Sequence, residues 1–293
     1  MAKPRRDILG YIRHAEQAWK NVHSVFDSEP LQTVQVDDIE VGYKSFGGGE
    51  PLVMIPAYIA TMDVWDPHFL VKLATKYEVI VFDNRGMGKT SAGESEFTID
   101  RFADDTAGLI EALGFERANV LGWSIGGDIA LSLALNHRDR VRRLVLYAGD
   151  CGGKQKVLAP KYTDIMKKLH EVDGFLAKEV LGALFPAWWM EATPDYWKHY
   201  PFPRELSNPV HIAKQDHAYD TWEGVYDRLG EIELPVLVVT GTEDVSTPPE
   251  NARMIAGRLP DARLVEFPGA GHGLQYMYPI GLAKVIIDFL GED

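Results

Sequence analysis

Val120-Leu121-Gly122-Trp123-Ser124-Ile125-Gly126-Gly127-Asp128 opens apolar and turns at glycines. It runs on into Ile129-Ala130-Leu131-Ser132-Leu133-Ala134-Leu135, a good helix former. Gly122-x-Ser124-x-Gly126 is the nucleophile-elbow pattern, set between a strand and a helix as that motif requires. The turn forces Ser124 into a strained backbone conformation, and a Cβ on either flank would crowd the strand or the helix. In return the hydroxyl stands above the end of the sheet. The Ile125 amide then lies at a helix N-terminus, where it can face an oxyanion.

Around this stretch the composition is that of a globular, enzyme-sized chain. The chain has 293 residues, 46% hydrophobic and 25% charged, which suits one large domain or a domain with an insertion. A formal charge of −13 argues against nucleic acid and anionic membranes as partners. The basic start Met1-Ala2-Lys3-Pro4-Arg5-Arg6 is not followed by the apolar core of a signal peptide, and no apolar run is long enough to span a bilayer. The one cysteine, Cys151, is compatible with a reducing compartment. A cytoplasmic protein acting on a small molecule is expected, with no membrane partner, as a monomer or homodimer.

Ile8, Ile12, Ala15, Trp19, Val22 and Phe26 form one apolar stripe, which predicts a helix over 4–26. It packs either on its own domain or on a partner. Residues 31–36 and 39–46 alternate about Asp37-Asp38 as a hairpin. Leu52-Val53-Met54-Ile55 and the run 78–82 are short and continuously apolar, the mark of strands buried on both faces. A helix from Asp66-Pro67 through Lys76, an amphipathic helix over 98–113 and strands at 119–123 and 141–147 continue the alternation. From 152 to 234 the character changes to helical patterns with aromatic clusters. Phe185, Trp188 and Trp189 form one cluster; Tyr196, Trp197, Tyr200 and Phe202 form another. Strand and helix resume at 235–240, 249–258 and 262–267, with a last helix to Leu290. This order predicts an α/β fold with a mostly parallel sheet and helices on both faces. It divides the chain into an N-terminal extension (1–30), a core (31–151 and 235–293) and an inserted helical cap (152–234).

Ser124 needs a base. Of the nine histidines, His272 lies in the glycine-rich loop Pro268-Gly269-Ala270-Gly271-His272-Gly273, directly after a strand. The base in turn needs a carboxylate to fix its tautomer. Asp244 follows the strand ending at Thr240, and Asp150 follows the strand ending at Tyr147. Both are candidates, and Asp244 is preferred. Two motifs are set aside. Asp83-Asn84-Arg85-Gly86-Met87-Gly88-Lys89-Thr90 ends like a phosphate-binding loop, but Asp83 stands where its first glycine belongs. It reads instead as a structural turn, in which Asp83 and Arg85 pair or bond local backbone. Cys151 reads as an unreactive thiol. No cofactor and no metal site are expected.

These pieces together resemble the α/β-hydrolase superfamily, from about residue 31 to the end. They are similar to the branch that holds enol-lactonases, small carboxylesterases and cofactor-free haloperoxidase-like perhydrolases. The resemblance rests on Phe82-Asp83-Asn84-Arg85-Gly86-Met87-Gly88-Lys89-Thr90, the elbow, the 241–248 acid loop and Gly271-His272. It implies an eight-stranded, mostly parallel sheet and the chain order Ser124, Asp244, His272 for a triad. The family usually has His-Gly after the strand at 52–55. Here Pro56-Ala57 stand in that place, and the resemblance puts the second oxyanion amide, beside that of Ile125, at Tyr58. The expected activity is cleavage of an uncharged, apolar or aromatic ester or lactone through an acyl-enzyme, with Trp123, Trp188 and Trp189 lining the substrate pocket. Carbon–carbon bond hydrolysis by the same triad, or ligand binding with little turnover, are the alternatives.

Overall fold

The computed structural model describes residues 27–158, 178–193 and 207–292. The stripe at 4–26, the helical pattern expected over 160–177 and the aromatic run at 196–203 lie outside them. The core is an eight-stranded sheet in the order β1-β2-β4-β3-β5-β6-β7-β8. Its strands are β1 (Gln32–Val36), β2 (Ile39–Gly47), β3 (Glu50–Ile55), β4 (Tyr77–Phe82), β5 (Ala118–Trp123), β6 (Val141–Tyr147), β7 (Val236–Gly241) and β8 (Ala262–Phe267). The β1–β2 and β2–β4 pairs are antiparallel, and every other pair is parallel.

Among the described residues the α-helices are α1 (Pro67–Ala74), α2 (Ile99–Ala112), α3 (Ile125–Asn136), α4 (Lys178–Leu184), α5 (Ala187–Ala192), α6 (Pro209–Thr221), α7 (Pro249–Arg258), α8 (Leu274–Met277) and α9 (Pro279–Leu290). Local chemistry sets several of their ends. Asp66 caps α1 by accepting the Phe69 amide at 2.9 Å, with Pro67 at the first helical position, where its missing N–H costs nothing. Thr98 caps α2 through the Arg101 amide at 2.9 Å. The last helix, expected as one element, is two, because the chain leaves helical geometry at Tyr278 before Pro279 restarts it.

The continuous apolar runs fill both faces, since successive strand side chains point to opposite sides. Val53, Ile55, Val120, Leu144, Leu146, Val236 and Val238 pack with Phe102, Leu109, Ile129, Leu133 and Ile255 from α2, α3 and α7. Leu52, Met54, Leu121, Val145, Leu237 and Val239 face the other way, onto Phe69 and Leu70 of α1 and Leu282 and Ile286 of α9. Each such side chain, fully removed from water, stabilises the fold by about 1.5–3 kcal/mol. The helices α4, α5 and α6 all fall between β6 and β7.

The turn after β4 is closed by charge. Asp83 accepts the Met62 amide on Oδ1 and the Lys89 amide on Oδ2, both at 2.6 Å. A Cβ on Gly88, whose φ is +44°, would come within 2.2 Å of Asp83 Oδ2. A carboxylate therefore occupies the centre of the loop that resembled a phosphate cradle. Arg85 does not pair with Asp83. It reaches Asp105 through Nε at 2.8 Å and Nη2 at 2.6 Å, and Asp38 through Nη2 at 2.7 Å. The guanidinium holds the Asp38 carboxyl far below its ordinary range.

Two outcomes follow from this turn. Arg85 is 1% exposed and Asp105 4%, so Arg85→Ala strips the donor from Oδ2 of a buried carboxylate, leaving Arg101 on Oδ1 at 2.9 Å, and is expected to cost about 1–3 kcal/mol in urea unfolding. A cost under about 1 kcal/mol would show the network to be dispensable. Burial pushes the Asp83 carboxyl from its ordinary 3.8 up to about 7, against the pull of the Lys89 and Met62 amides. Between those values the folded state keeps a proton that the unfolded chain has lost. Asp83 thus withdraws stability as pH rises from about 4 to about 7. Urea midpoints across that window are expected to fall more steeply for the wild type than for Asp83→Asn, and parallel curves would refute the assignment.

Candidate active site

Ser124 has φ 56° and ψ −124°, a conformation that only a tightly over-determined backbone maintains. Its N–H donates to the Tyr147 carbonyl at 2.9 Å, and its own carbonyl accepts the Gly127 amide at 2.7 Å. The flanking glycines are sterically required. A Cβ on Gly122 would lie 2.0 Å from the Gly126 carbonyl oxygen, and one on Gly126 would lie 2.3 Å from that of Ile55. The second contact brings the end of β3, and so the root of the Pro56–Ala60 loop, against the elbow. Ile125 is the first residue of α3, where the amides have no partner within the helix and the dipole is positive.

His272 follows β8. Its Nδ1 lies 2.9 Å from Asp244 Oδ2, and both residues are buried, at 5% and 4% exposure. The other oxygen of Asp244 accepts the Ser246 and Thr247 amides, each at 2.8 Å. One carboxylate oxygen is thus pinned by backbone and the other turned to the imidazole. Because an ionised carboxylate only accepts, Nδ1 carries the proton and Nε2 is left as the basic nitrogen. Glu243 is exposed. Asp150, the other candidate acid, is engaged elsewhere: Oδ1 accepts the Gly152 amide at 2.7 Å and Oδ2 the Tyr219 hydroxyl at 3.1 Å.

Tyr147, which sequence reasoning passed over, joins the two halves of the site. Its carbonyl holds the Ser124 amide, while its hydroxyl donates to the His272 carbonyl at 2.7 Å and accepts the Gln275 amide at 3.1 Å. The signal available in the sequence was a tyrosine closing a buried strand, since a buried phenol needs a partner. Trp123 stacks on this ring at 5.7 Å and 8°, and its own ring lies 5.9 Å from that of His272. At 2% exposure Trp123 supports the histidine loop from within the core.

The remaining expected residues come from the interrupting segment and the loop after β3. Trp188 is 43% exposed, and its indole donates to the Gly269 carbonyl at 3.1 Å, on the loop that leads to His272. Trp189 stacks on Phe185 at 4.5 Å, and Phe185 meets Tyr276 edge-on at 5.9 Å. The same segment braces both loops of the acid–base pair. Ser246 Oγ donates to the Ala183 carbonyl and the Gly273 amide to that of Leu184, each at 2.8 Å. Tyr58 sits in a turn closed by the Ala60 amide on the Ala57 carbonyl at 3.1 Å, in which Ile59 has φ 49°. The Ile59 amide donates to Gln215 Oε1 at 2.8 Å, and the Tyr58 hydroxyl donates to Asp216. Nothing in the sequence pattern marked Gln215.

Two buried groups beside the elbow are chemically quiet. Burial, then the nearby Asp150, raises the Asp128 carboxyl well above its ordinary range. Burial, with Asp150 and Asp128 behind it, pushes the Cys151 thiol up to about 12, so the thiolate is inaccessible at neutral pH. Among the described residues no cluster of His, Cys, Asp and Glu could hold a metal ion, and no helix is long and apolar enough to cross a membrane.

Known proteins place this architecture. The putative carbamate hydrolase RutD of Azorhizobium caulinodans is 25% identical over 87% of this chain and 96% of its own length. The putative non-heme bromoperoxidase BpoC of Mycobacterium tuberculosis is 29% identical over 80% of this chain and 91% of its own. Among solved structures, the enol-lactonase of Burkholderia xenovorans LB400 superposes with a TM-score of 0.75 at 26% identity, covering 89% of this chain and all of that one. These relatives match the branch that the motifs suggested. The family model described as the alpha/beta hydrolase fold matches residues 50–277, most of the chain from β3 to α8, and the protein belongs to that family.

Proposed function

We propose that this protein is a serine hydrolase of small uncharged esters or lactones. The observation that carries the reading is the buried Asp244–His272 pair, tied through Tyr147 to the strained Ser124. In this mechanism Ser124 attacks the carbonyl carbon as His272 Nε2 takes its proton. Asp244 stabilises the imidazolium without accepting the proton. The amides of Ile125 and Tyr58 hold the oxyanion. His272 returns the proton to the leaving alkoxide, giving an acyl-enzyme, and then activates the water that cleaves it.

The segment between β6 and β7 serves as a cap over this centre, in keeping with its contacts to the acid and histidine loops. Phe185 and Trp189 supply an apolar wall that favours apolar or aromatic substrates, because such a wall cannot compensate the desolvation of a charged group. The likeness to an enol-lactonase supports a cyclic or short acyl substrate.

The central test is covalent. A fluorophosphonate probe is expected to label wild type and not Ser124→Ala, and labelling that survives the substitution would place the nucleophile elsewhere. Asp244→Asn is expected to lower kcat on a p-nitrophenyl ester by about 10⁴-fold, because His272 then adopts the wrong tautomer. Asp150→Asn is expected to cost far less, and the reverse ranking would move the acid. For the cap, Trp189→Ala is expected to shift the ratio of kcat/KM between long and short acyl chains by about 1–3 kcal/mol. An unchanged ratio with a lowered Tm would make Trp189 a packing residue only.

A further inference from the structure

The loop Pro56–Ala60 is pinned at three places by three different elements. Its root is held by the close approach of the Ile55 carbonyl to Gly126. Its exit is held by Asp83 on the Met62 amide. Its tip is held from α6, by Gln215 on the Ile59 amide and Asp216 on the Tyr58 hydroxyl.

The tip is where a hold is needed. Ala57–Ala60 closes as a β-turn with Ile59 at φ 49°, while Tyr58 keeps a negative φ. That is the type II arrangement, whose third position normally takes Gly or Asn. A β-branched residue there is an outlier. Left to itself, Ile59 favours the type I form, in which the Tyr58–Ile59 peptide is turned over and its N–H points to the opposite side. The partner that fixes the N–H is a side chain 0% exposed to solvent, whose Nε2 has no partner among the described residues. Gln215 is itself held firmly. One turn before it, His211 Nδ1 meets the Gly86 carbonyl at 3.0 Å, and one turn after it, Tyr219 reaches Asp150 at 3.1 Å.

We propose that Gln215 and Asp216 are positioning residues for the oxyanion loop. They clamp the Tyr58–Ile59 peptide in its disfavoured orientation, which keeps the Tyr58 carbonyl on the side away from Gln215 and fixes the turn that carries the neighbouring Ala57–Tyr58 peptide, whose N–H is the second oxyanion donor. This inference rests on the serine-hydrolase reading above. It also explains how the loop works without the His-Gly usual in the family: the rigidity comes from α6, in the interrupting segment. The pair touches no reacting atom and acts only through Ile59 and Tyr58.

The experiment uses the full chain, a short p-nitrophenyl ester, and butylboronic acid as a probe that forms a tetrahedral adduct on a reactive serine. Gln215→Ala is expected to lower kcat by about 10- to 100-fold, with KM changed by less than about threefold, and to weaken boronate inhibition by a similar factor. Gln215→Glu keeps an acceptor for the Ile59 amide and is expected to recover most of kcat. If Gln215→Ala does not fold, Tyr58→Phe, which removes only the hydroxyl bonded to Asp216, is expected to show the same pattern more weakly. An unchanged kcat, or a loss that follows Tm while boronate affinity per folded molecule stays at the wild-type level, overturns the proposal. A wild type that is labelled by fluorophosphonate and inhibited by boronate, yet indifferent to these substitutions, removes the clamp alone. A wild type that no fluorophosphonate labels removes the serine-hydrolase reading and the clamp with it.

Discussion

Everything at the candidate site depends on keeping Ser124 in a backbone conformation that an L-residue avoids. Such a conformation costs about 1–3 kcal/mol and persists only where its surroundings over-determine it. Here the surroundings are the Tyr147 carbonyl on one side, the Gly127 amide on the other, and backbone at near-contact distances from Gly122 and Gly126. The parallel sheet supplies the Tyr147 and Ile55 contacts, and the first turn of α3 supplies the others. β5 lies between β3 and β6, so the elbow meets Ile55 from one neighbour and Tyr147 from the other.

The same neighbour relation assembles the rest. Tyr147 ends β6, one strand from the elbow and one from β7, after which Asp244 lies. Its hydroxyl reaches on to the His272 carbonyl after β8. The ends of β5, β6 and β8 are therefore tied through one residue, by its backbone carbonyl to Ser124 and by its buried phenol to the histidine loop. The histidine loop is locked at its backbone by Tyr147 and at its ring by Asp244, which leaves its imidazole little freedom to reorient. Preorganisation of this kind lets a site stabilise developing charge without rearranging at the moment of reaction.

The polar groups buried around the site sort by what they hold. Asp83 and Arg85 stand two apart on one turn. Asp83 collects backbone amides and fastens the loop after β3; Arg85 collects carboxylates and fastens the hairpin through Asp38 and α2 through Asp105. The buried guanidinium offsets its desolvation by taking two carboxylates, whereas the amide donors offset that of Asp83 only in part, since burial still pushes its carboxyl up to about 7. Asp150 belongs with this structural set, since one of its oxygens accepts the Gly152 amide of its own loop and the other joins that loop to α6 through Tyr219.

Much of this was legible in the sequence, because the relevant constraints are local. A continuous apolar run of a few residues fits only a strand covered on both faces, and Gly-x-Ser-x-Gly after such a run fits only a tight turn into a helix. The alternation, the elbow, the glycine-rich histidine loop and the acid loop were therefore readable as they stood, and the strands at 141–147 and 262–267 fall where the pattern put them. What the chain order left open were relations across strands. Whether Asp244 or Asp150 faces His272 depends on side chains brought together by sheet order; the structure pairs His272 with Asp244. Arg85 bonds the nearby Ala92 carbonyl but finds its charged partners in Asp105 and Asp38, and Tyr147 and Gln215 act at sequence separations of 125 and 156 residues. Periodicity cannot register such contacts, because no local preference encodes them. They exist only once the hydrophobic faces have closed the sheet and set the loops at one end of it.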